Sequence, residues 1–470
     1  MDADHKSGIH HVTLITRRVQ ANVDFYVGFL GLHLVKRTGG FEDNAQLHLF
    51  YGDAEGAPGS LVTFLVWEDG APGRVGTGQV SEIAFAVPPA SIGDWLTKAL
   101  AHRVPAEGPR REFGAPVLRL KDPDRIIVKL VGADTPNPEQ GRAGRLRAVT
   151  ILTGAPEETA RFLTRFGYRE GPREGNSLRL LSDTDAVDVR DATGFVPGIP
   201  GTGTADHVAF RAPDVPAVRA LEKRLLEDHG APINFHDRKY FTSLYVREPG
   251  GTLLEYATDG PGFAVDEPLD HLGETLFVPH AGSERAQDLK LMLPQFALPG
   301  EPRLPLRDLP FVHRFFVPEN PDGSTMVLLH GTGGSEADLM PLAHRAAPRA
   351  TLLGVRGRAH EEGVARWFRR LPGGRFDQAD IAAEAAAFEA FVLGAVESYR
   401  LDPAAMTFLG LSNGANFIAA VMGLHPGLVA RAVLLRPMLV LDPPPAPDLA
   451  GAEVLMLVGA ADPYGHHAPA

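Results

Sequence analysis

The chain has no cysteine among its 470 residues. That excludes disulfides, a thiolate nucleophile, iron–sulfur clusters and cysteine-ligated zinc, so any metal must sit on His, Asp or Glu. An excess of positive charge is missing too. Lys and Arg number 46 against 58 Asp and Glu, for a formal charge of −12, which argues against a nucleic-acid or anionic-membrane partner. No apolar run approaches the ~18 residues of a membrane span. The opening MDADHKSGIHH has no apolar core of the secretory kind. A reducing cytoplasm is the expected compartment. Nothing in these features fixes the oligomeric state, and a homo-oligomer is compatible with them.

What is present is ordinary for globular protein: 44% hydrophobic and 22% charged residues. At roughly 100–200 residues per domain, the length predicts two to four domain-sized units. The first part carries an internal repeat with a period of roughly 60 to 75 residues. Short apolar strands open each unit at His11-Val-Thr-Leu-Ile, Glu82-Ile-Ala-Phe-Ala, Ala148-Val-Thr-Ile-Leu and His207-Val-Ala-Phe-Arg. The following stretches ANVDFYVGFLGL and EETARFLTRFGY share i, i+3, i+4 apolar spacing and stop near a glycine. KDPDRIIVKL, ending at Leu130, lines up with REPGGTLLEY, ending at Tyr256. Four βαβββ modules are expected, over about 7–70, 76–133, 145–195 and 203–260, plus a tail. A Pro-rich linker ends this part near residue 300, giving expected domains 1–300 and 301–470. Beyond it, MVLLH, TLLGV, MTFLGL, AVLLR and VLMLVG alternate with helical stretches, which predicts a parallel α/β sheet. The fold class is therefore α+β in the first part and α/β in the second.

If the modules share one template, their opening strands present His11, Glu82, Ala148 and His207 at the same position. The closing strands of the second and fourth modules present Lys129 and Glu255. Only the first and fourth modules keep ligand-type residues. His11, His207 and Glu255 on adjacent strands would form a two-His, one-carboxylate facial triad, which leaves open positions on Fe(II) for substrate and O2. Each residue alone is unremarkable in a chain with 18 His and 58 acids; it is the common register that singles them out.

Residues 8–300 resemble the two-domain ring-cleaving dioxygenases of the vicinal-oxygen-chelate superfamily, and most of all their hydroquinone-type subgroup. The resemblance rests on GIHHVTLIT with NVDFYVGFLGL, HLFYGDAEGAPGSLVTF, DRKYFTSLYVREPGGTLLEYATD and LGETLFVP. It implies Fe(II), or Mn(II), on His11, His207 and Glu255, and roles around the metal for His10, Thr13, Arg238 and Tyr245. It also implies a small aromatic substrate and O2 as partners. The family often has a second His beside the fourth-module ligand, where this chain has Asp206.

The chemistry gives these residues work. A metal lowers a phenol's pKa, and Arg238 could hold the phenolate by a charge-assisted hydrogen bond. Tyr245 could donate a hydrogen bond or a proton. His10 points to the opposite face from His11 on a regular strand, so reaching substrate would need a bulge.

In the second part, TMVLLHGTGG runs from a strand into a Gly-rich turn, and Gly410-Leu-Ser412-Asn-Gly414 is a G-x-S-x-G between strand and helix. Ser412 would be the nucleophile, the amides of Thr332 and Asn413 the oxyanion hole, and Asp462 the acid. With VRGRAHEEG, ARWFRRLPGGRFDQADI and RLDPAAMTFLGLSNGA, this part resembles the carboxylesterase/phospholipase type of α/β-hydrolase. That type carries its His well beyond the Asp. Here His466 and His467 follow Asp462 too closely, so the sheet is expected to be partial, lacking its last strand, catalytic His and last helix. Two other readings stand beside a dioxygenase fused to an esterase-like domain: a metal-free protein that binds an aromatic or drug, and a carboxylesterase with the first half as scaffold.

Overall fold

The opening strands are built of β-branched and aromatic residues, which favour a pleated, packed surface. The computed structural model describes residues 5–43, 45–134, 141–229, 233–279, 283–303 and 307–460. Over 9–261 it holds four modules, each a strand, a helical stretch and three strands. The first is β1 (Ile9–Thr16), α1 (Val19–Val23) with its continuation to Phe29, β2 (His33–Gly39), β3 (Leu47–Gly52) and β4 (Leu61–Val66). The second is β5 (Gln79–Val87), α2 (Ile92–Ala101), β6 (Ala106–Glu112), β7 (Ala115–Lys121) and β8 (Ile127–Gly132). The third is β9 (Leu146–Thr153), α3 (Pro156–Leu163), β10 (Arg169–Glu174), β11 (Ser177–Leu181) and β12 (Ala186–Asp191). The fourth is β13 (Ala205–Ala212), α4 (Val215–His229), β14 (Asn234–Asp237), β15 (Phe241–Arg247) and β16 (Leu253–Pro261).

The helices start and stop where the chemistry says they should. α3 opens with Pro at its first position and Glu157 and Glu158 in its first turn, where acids complement the helix dipole. A final 3-10 turn ends it at Gly167, at φ +88°, a left-handed value that glycine adopts without strain. The first module's helical stretch stops in the same way, at Gly31.

The modules do not pair in chain order. β1 runs antiparallel to β13, joining the first module to the fourth, and β5 runs antiparallel to β9, joining the second to the third. The first sheet is β14-β15-β16-β13-β1-β4-β3-β2-β17, with β17 at Leu276–Phe277. The second is β10-β11-β12-β9-β5-β8-β7-β6. All eight residues of β1 are buried, as expected of a strand covered on both faces.

By compactness the chain forms two units. One holds the residues up to 281 together with 296–302; the other holds 282–295 and everything from 303. The division drawn from composition near residue 300 thus differs at α5 (Ser283–Met292). Leu291 of that helix joins a buried cluster with Leu328, Met340 and Leu352 of the second unit. An apolar helix face shows that it is covered, not by which core.

The second unit is a six-stranded sheet in the order β18-β20-β19-β23-β24-β25. Its strands are β18 (His313–Phe316), β19 (Thr325–Leu329), β20 (Thr351–Val355), β23 (Met406–Leu411), β24 (Arg431–Leu435) and β25 (Glu453–Leu457), with a small hairpin β21–β22 (Ala359–Glu361, Val364–Arg366). All pairs are parallel except the β18 edge. The helices are α6 (Met340–Ala346), α7 (Gln378–Tyr399) and α8 (Asn413–Leu424). Trp367, fully buried, stacks on Phe417 of α8 at 5.0 Å. Among the described residues no helix is long and apolar enough to cross a membrane.

Candidate active site

The β1–β13 pairing places Thr13 opposite His207 and His11 opposite Ala209, and Ala209 lies beside Glu255 on the next strand, β16. Three side chains from both ends of the first unit therefore meet. His11 Nε2 lies 3.3 Å from His207 Nε2 and 3.2 Å from Glu255 Oε2, and His207 Nε2 is 2.8 Å from the same oxygen. All three residues are buried, and among the described residues they are the one cluster of three or more such groups able to hold an ion.

Neighbouring groups leave these atoms free for an ion. Glu255 Oε1 accepts from the Ser243 hydroxyl, while the buried Oε2 faces only the two imidazole Nε2 atoms of the cluster. His207 Nδ1 donates to Asp206 Oδ2 at 2.7 Å, which turns Nε2 toward the cluster, where an ion would displace its proton. His11 Nδ1 sits 2.8 Å from His10 Nδ1. If His11 donates there, its Nε2 is also free, and His10 carries its proton on Nε2, a buried atom without a partner. Ligands at right angles about an ion with bonds of about 2.1 Å stand about 3.0 Å apart, which matches the separations here. Two imidazoles and a carboxylate are the donor set of a non-haem Fe(II) or Mn(II) centre. The residues fit the ion.

The electrostatics agree with a site built for a cation. Burial alone would raise the Glu255 pKa, but His11 and His207 hold it well below the usual carboxylate range. Burial pulls His207 down, yet its bonds to Asp206 and Glu255 outweigh this and lift it to about 9. His10 falls to about 3, through burial and then the neighbouring His11.

His11 and His207 of the cluster line a cavity of about 660 Å³ that also exposes Thr13, His48, Phe50, Asp206, His236, Arg238, Phe241 and Tyr245, within the size range of small-molecule sites. Arg238 lies 5.2 Å from the Phe41 ring and 5.3 Å from the Tyr245 ring. Its Nη1 donates to Glu42 at 3.1 Å; Arg238 is 16% exposed and Glu42 78%. Such a rim carboxylate is weakly held and leaves the guanidinium able to turn to an anion in the cavity. Burial and the Glu255 charge push the Tyr245 phenol up despite Arg238, so it stays a neutral donor. His10 does not line the cavity. The register shift between Ile9 and His11 turns it onto His11 and Phe241, 5.1 Å away in each case, so it backs His11 and does not face the cavity.

In the second unit, Ser412 sits between β23 and α8 at φ +51°, ψ −112°, a strained backbone of the kind that presents a nucleophile. The turn is tight enough that a Cβ on Gly414 would clash with the Leu329 carbonyl oxygen. Asn413 accepts from the Trp367 amide at 2.9 Å and Thr332 from Arg366 at 3.2 Å through their side chains. Among the described residues no hydrogen bond joins the Ser412 hydroxyl to a His or a carboxylate. Asp462, His466 and His467 lie outside the described residues.

Residues 8–130 match the Glyoxalase/Bleomycin resistance protein/Dioxygenase superfamily. The MhqO protein of Bacillus subtilis, which carries the name of a ring-cleaving dioxygenase, is 34% identical over 285 residues, 58% of this chain and 91% of that protein. The chain belongs to this ring-cleaving dioxygenase family. The chlorohydroquinone/hydroquinone 1,2-dioxygenase of Sphingobium indicum is 32% identical over 295 residues, again 58% of the chain and 91% of the relative. A crystal structure from Bacillus subtilis, described as that of a dioxygenase, superposes with a TM-score of 0.58 at 31% identity, over 63% of this chain and 99% of the other. The second unit is similar to MhqD of Bacillus subtilis, which carries the name of a hydrolase. It is 36% identical over 140 residues, 30% of the chain and 70% of the relative.

The dioxygenase keeps a second copy of the same framework. In the β5–β9 sheet, Glu82 lies opposite Thr150 as His207 lies opposite Thr13, and Lys129 lies beside Ala84 as Glu255 lies beside Ala209. There the ligand positions hold an internal ion pair. Lys129 Nζ is 2.9 Å from Glu82 and 2.9 Å from Glu112, and Arg119, in the place of Tyr245, is 2.6 Å from Glu82.

The sequence reading of the dioxygenase missed Ser243, Thr63 and His48. Ser243 and Thr63 are ordinary strand residues whose role depends on cross-strand register. His48 carried a weak signal: in the alternating LHLF that opens β3 it shares a face with Phe50.

Proposed function

We propose that the first unit opens the ring of a hydroquinone- or catechol-like aromatic with O2, at one Fe(II) ion, with Mn(II) the alternative, held by His11, His207 and Glu255. The observation that carries this is the convergence of two imidazole Nε2 atoms and the buried Glu255 Oε2, with both imidazoles lining one cavity. When bound, the ion supplies Lewis acidity toward a phenol and one-electron chemistry toward O2. The chain's own residues do the rest. Asp206 fixes the His207 tautomer and Ser243 fixes the Glu255 rotamer. Phe50 and Phe241 give a ring apolar walls. Arg238 stabilises the phenolate charge, and Tyr245 donates a hydrogen bond from a phenol kept neutral. Thr13, 3.0 Å from His207 Nε2, offers a hydroxyl beside the reacting position. We place the activity in the cytoplasm, on the chain's lack of cysteine.

For the second unit we propose an esterase-type role, with Ser412 as nucleophile, the amides of Thr332 and Asn413 as oxyanion donors and Asp462 as the acid. Its support is the strained elbow.

The test is anaerobic reconstitution with Fe(II), metal analysis, and O2 uptake with a panel of hydroquinones and catechols. One ion per chain and aromatic-dependent uptake are expected, both lost in His207→Ala. Full iron and full uptake in that variant would reject the assignment.

A further inference from the structure

The hydroxyls of Thr13 and Thr63 are 2.9 Å apart across β1 and β4, and Thr63 is 2.9 Å from His48 Nε2. Thr13 in turn reaches His207 Nε2 at 3.0 Å. Four side chains thus form one unbroken line, from the ligand cluster to an imidazole that lines the cavity. Thr63 is fully buried in mid-strand, where valine would pack equally well and a hydroxyl costs free energy unless it is bonded. The second sheet lacks this line. The pair Thr150 and Asp188 replaces Thr13 and Thr63, and Asp188 is clamped by Nε and Nη2 of Arg179. The hydroxyl line accompanies only the sheet with the ligand cluster.

We propose that Thr13, Thr63 and His48 form a proton relay that carries away the hydroxyl proton of a phenolic substrate. The inference rests on the function proposed above. Once His207 Nε2 is committed to an ion, Thr13 can no longer donate to it. The two hydroxyls are free rotors, so the line reverses. The substrate O–H bond breaks and its electron pair stays on the phenolate oxygen. Thr13 Oγ1 takes that proton and passes its own to Thr63 Oγ1, and Thr63 passes its own to His48 Nε2. One proton leaves the substrate and one arrives on His48, for release from the open side of the cavity; no oxidant or reductant is needed. Thr13 touches the substrate; Thr63 and His48 act through it. Burial and the neighbouring His11, His207 and Arg238, opposed by Asp206, hold His48 down to about 3. It is therefore a neutral acceptor at pH 7 and does not retain the proton.

The experiment mixes the Fe(II)-loaded full chain with 4-nitrocatechol anaerobically in a stopped-flow spectrometer and follows the rise of the bound anion's absorbance. Thr63→Val and His48→Gln are expected to retain iron and reach the wild-type final spectrum, but about 10²-fold more slowly, the scale of a lost proton-transfer group. Thr63→Ser, which keeps the hydroxyl, should stay near the wild-type rate. A wild-type rate in Thr63→Val would overturn the relay. So would a Thr63→Ser protein as slow as Thr63→Val, which would mean the methyl packing mattered and not the hydroxyl. Wild-type protein that loads iron but gives no anion spectrum would reject the proposed function itself, a result distinct from equal rates in every variant.

Discussion

Replacing Lys129 by Met tests whether the second sheet holds a structural counter-ion where the first holds ligands. Lys129 is 3% exposed and Glu82 2%. Removing one partner of such a pair strands the other, a loss of about 3–5 kcal/mol. Glu82 would keep Arg119 at 2.6 Å and Arg190 at 3.2 Å, so Lys129→Met should fall at the lower end, about 3 kcal/mol. Glu82→Gln should cost more, about 5 kcal/mol, because three cations then face a neutral amide. The acid response gives a second readout. Burial alone would raise Glu82, but Lys129, then Arg190 and Arg119, bring it down to about 2, against 4.5 for the free group. A carboxylate depressed in the folded state contributes stability that is present above pH 4.5 and lost as pH falls toward 2. In Lys129→Met the folded-state pKa moves back toward the free value, so that loss should be smaller and be complete at higher pH. Urea unfolding, with hydrogen exchange of the β5 and β8 amides to localise it, measures both. Iron content should not change. An unfolding midpoint and acid profile like those of the wild type would refute the reasoning, since the ammonium would then be dispensable.

Three further outcomes are expected. Arg238→Ala should keep its iron but lose about 10²–10³ in kcat/KM; metal loss would put Arg238 in the wrong role. Asp206→Asn should weaken Fe(II) binding about 10–100-fold in an equilibrium titration, because the charged acceptor that fixes the His207 tautomer is gone; unchanged affinity would show the contact to be incidental. Ser412→Gly should stabilise the second unit by about 1 kcal/mol in chemical denaturation, since non-glycine residues in such backbone regions carry roughly 1–3 kcal/mol of strain. It should also remove any ester hydrolysis that depends on Ser412. Lower stability would mean the elbow is not strained.

The candidate ligand cluster was legible in the sequence because the modules repeat. Once His11 and Ala148, or Glu255 and Lys129, share a register, comparing copies separates chemistry from scaffold without any contact map. The elbow was legible because G-x-S-x-G between strand and helix is local. The hydrogen-bonding partners were less so. Asp206 was noticed only as a departure, and its bond to His207 depends on rotamers. Thr63 lies 50 residues from Thr13, and nothing in either neighbourhood announces that β1 and β4 run side by side in that register. His10 was expected to face the opposite side of a regular strand, or the substrate across a bulge. The irregularity at Ile9–His11 instead turned it onto His11, and strand bulges are set by the partner strand, which local sequence does not show.

The β1–β13 pairing also bears on how the chain is made. His207 follows His11 by 196 residues. At about 5–20 residues per second, a ribosome exposes β1 for roughly 10–40 s before its second neighbour exists. In that interval β4 can cover one edge of β1, while the other shows unpaired amides and carbonyls along a strand that the finished fold buries completely, the kind of edge that recruits chaperones or other chains. Closing so long a loop is slow, and no partial product holds more than one of the two imidazoles until β13 docks. On the proposed assignment, metal choice comes after folding: an ion would meet all three residues only in a chain that has already closed its last module onto its first.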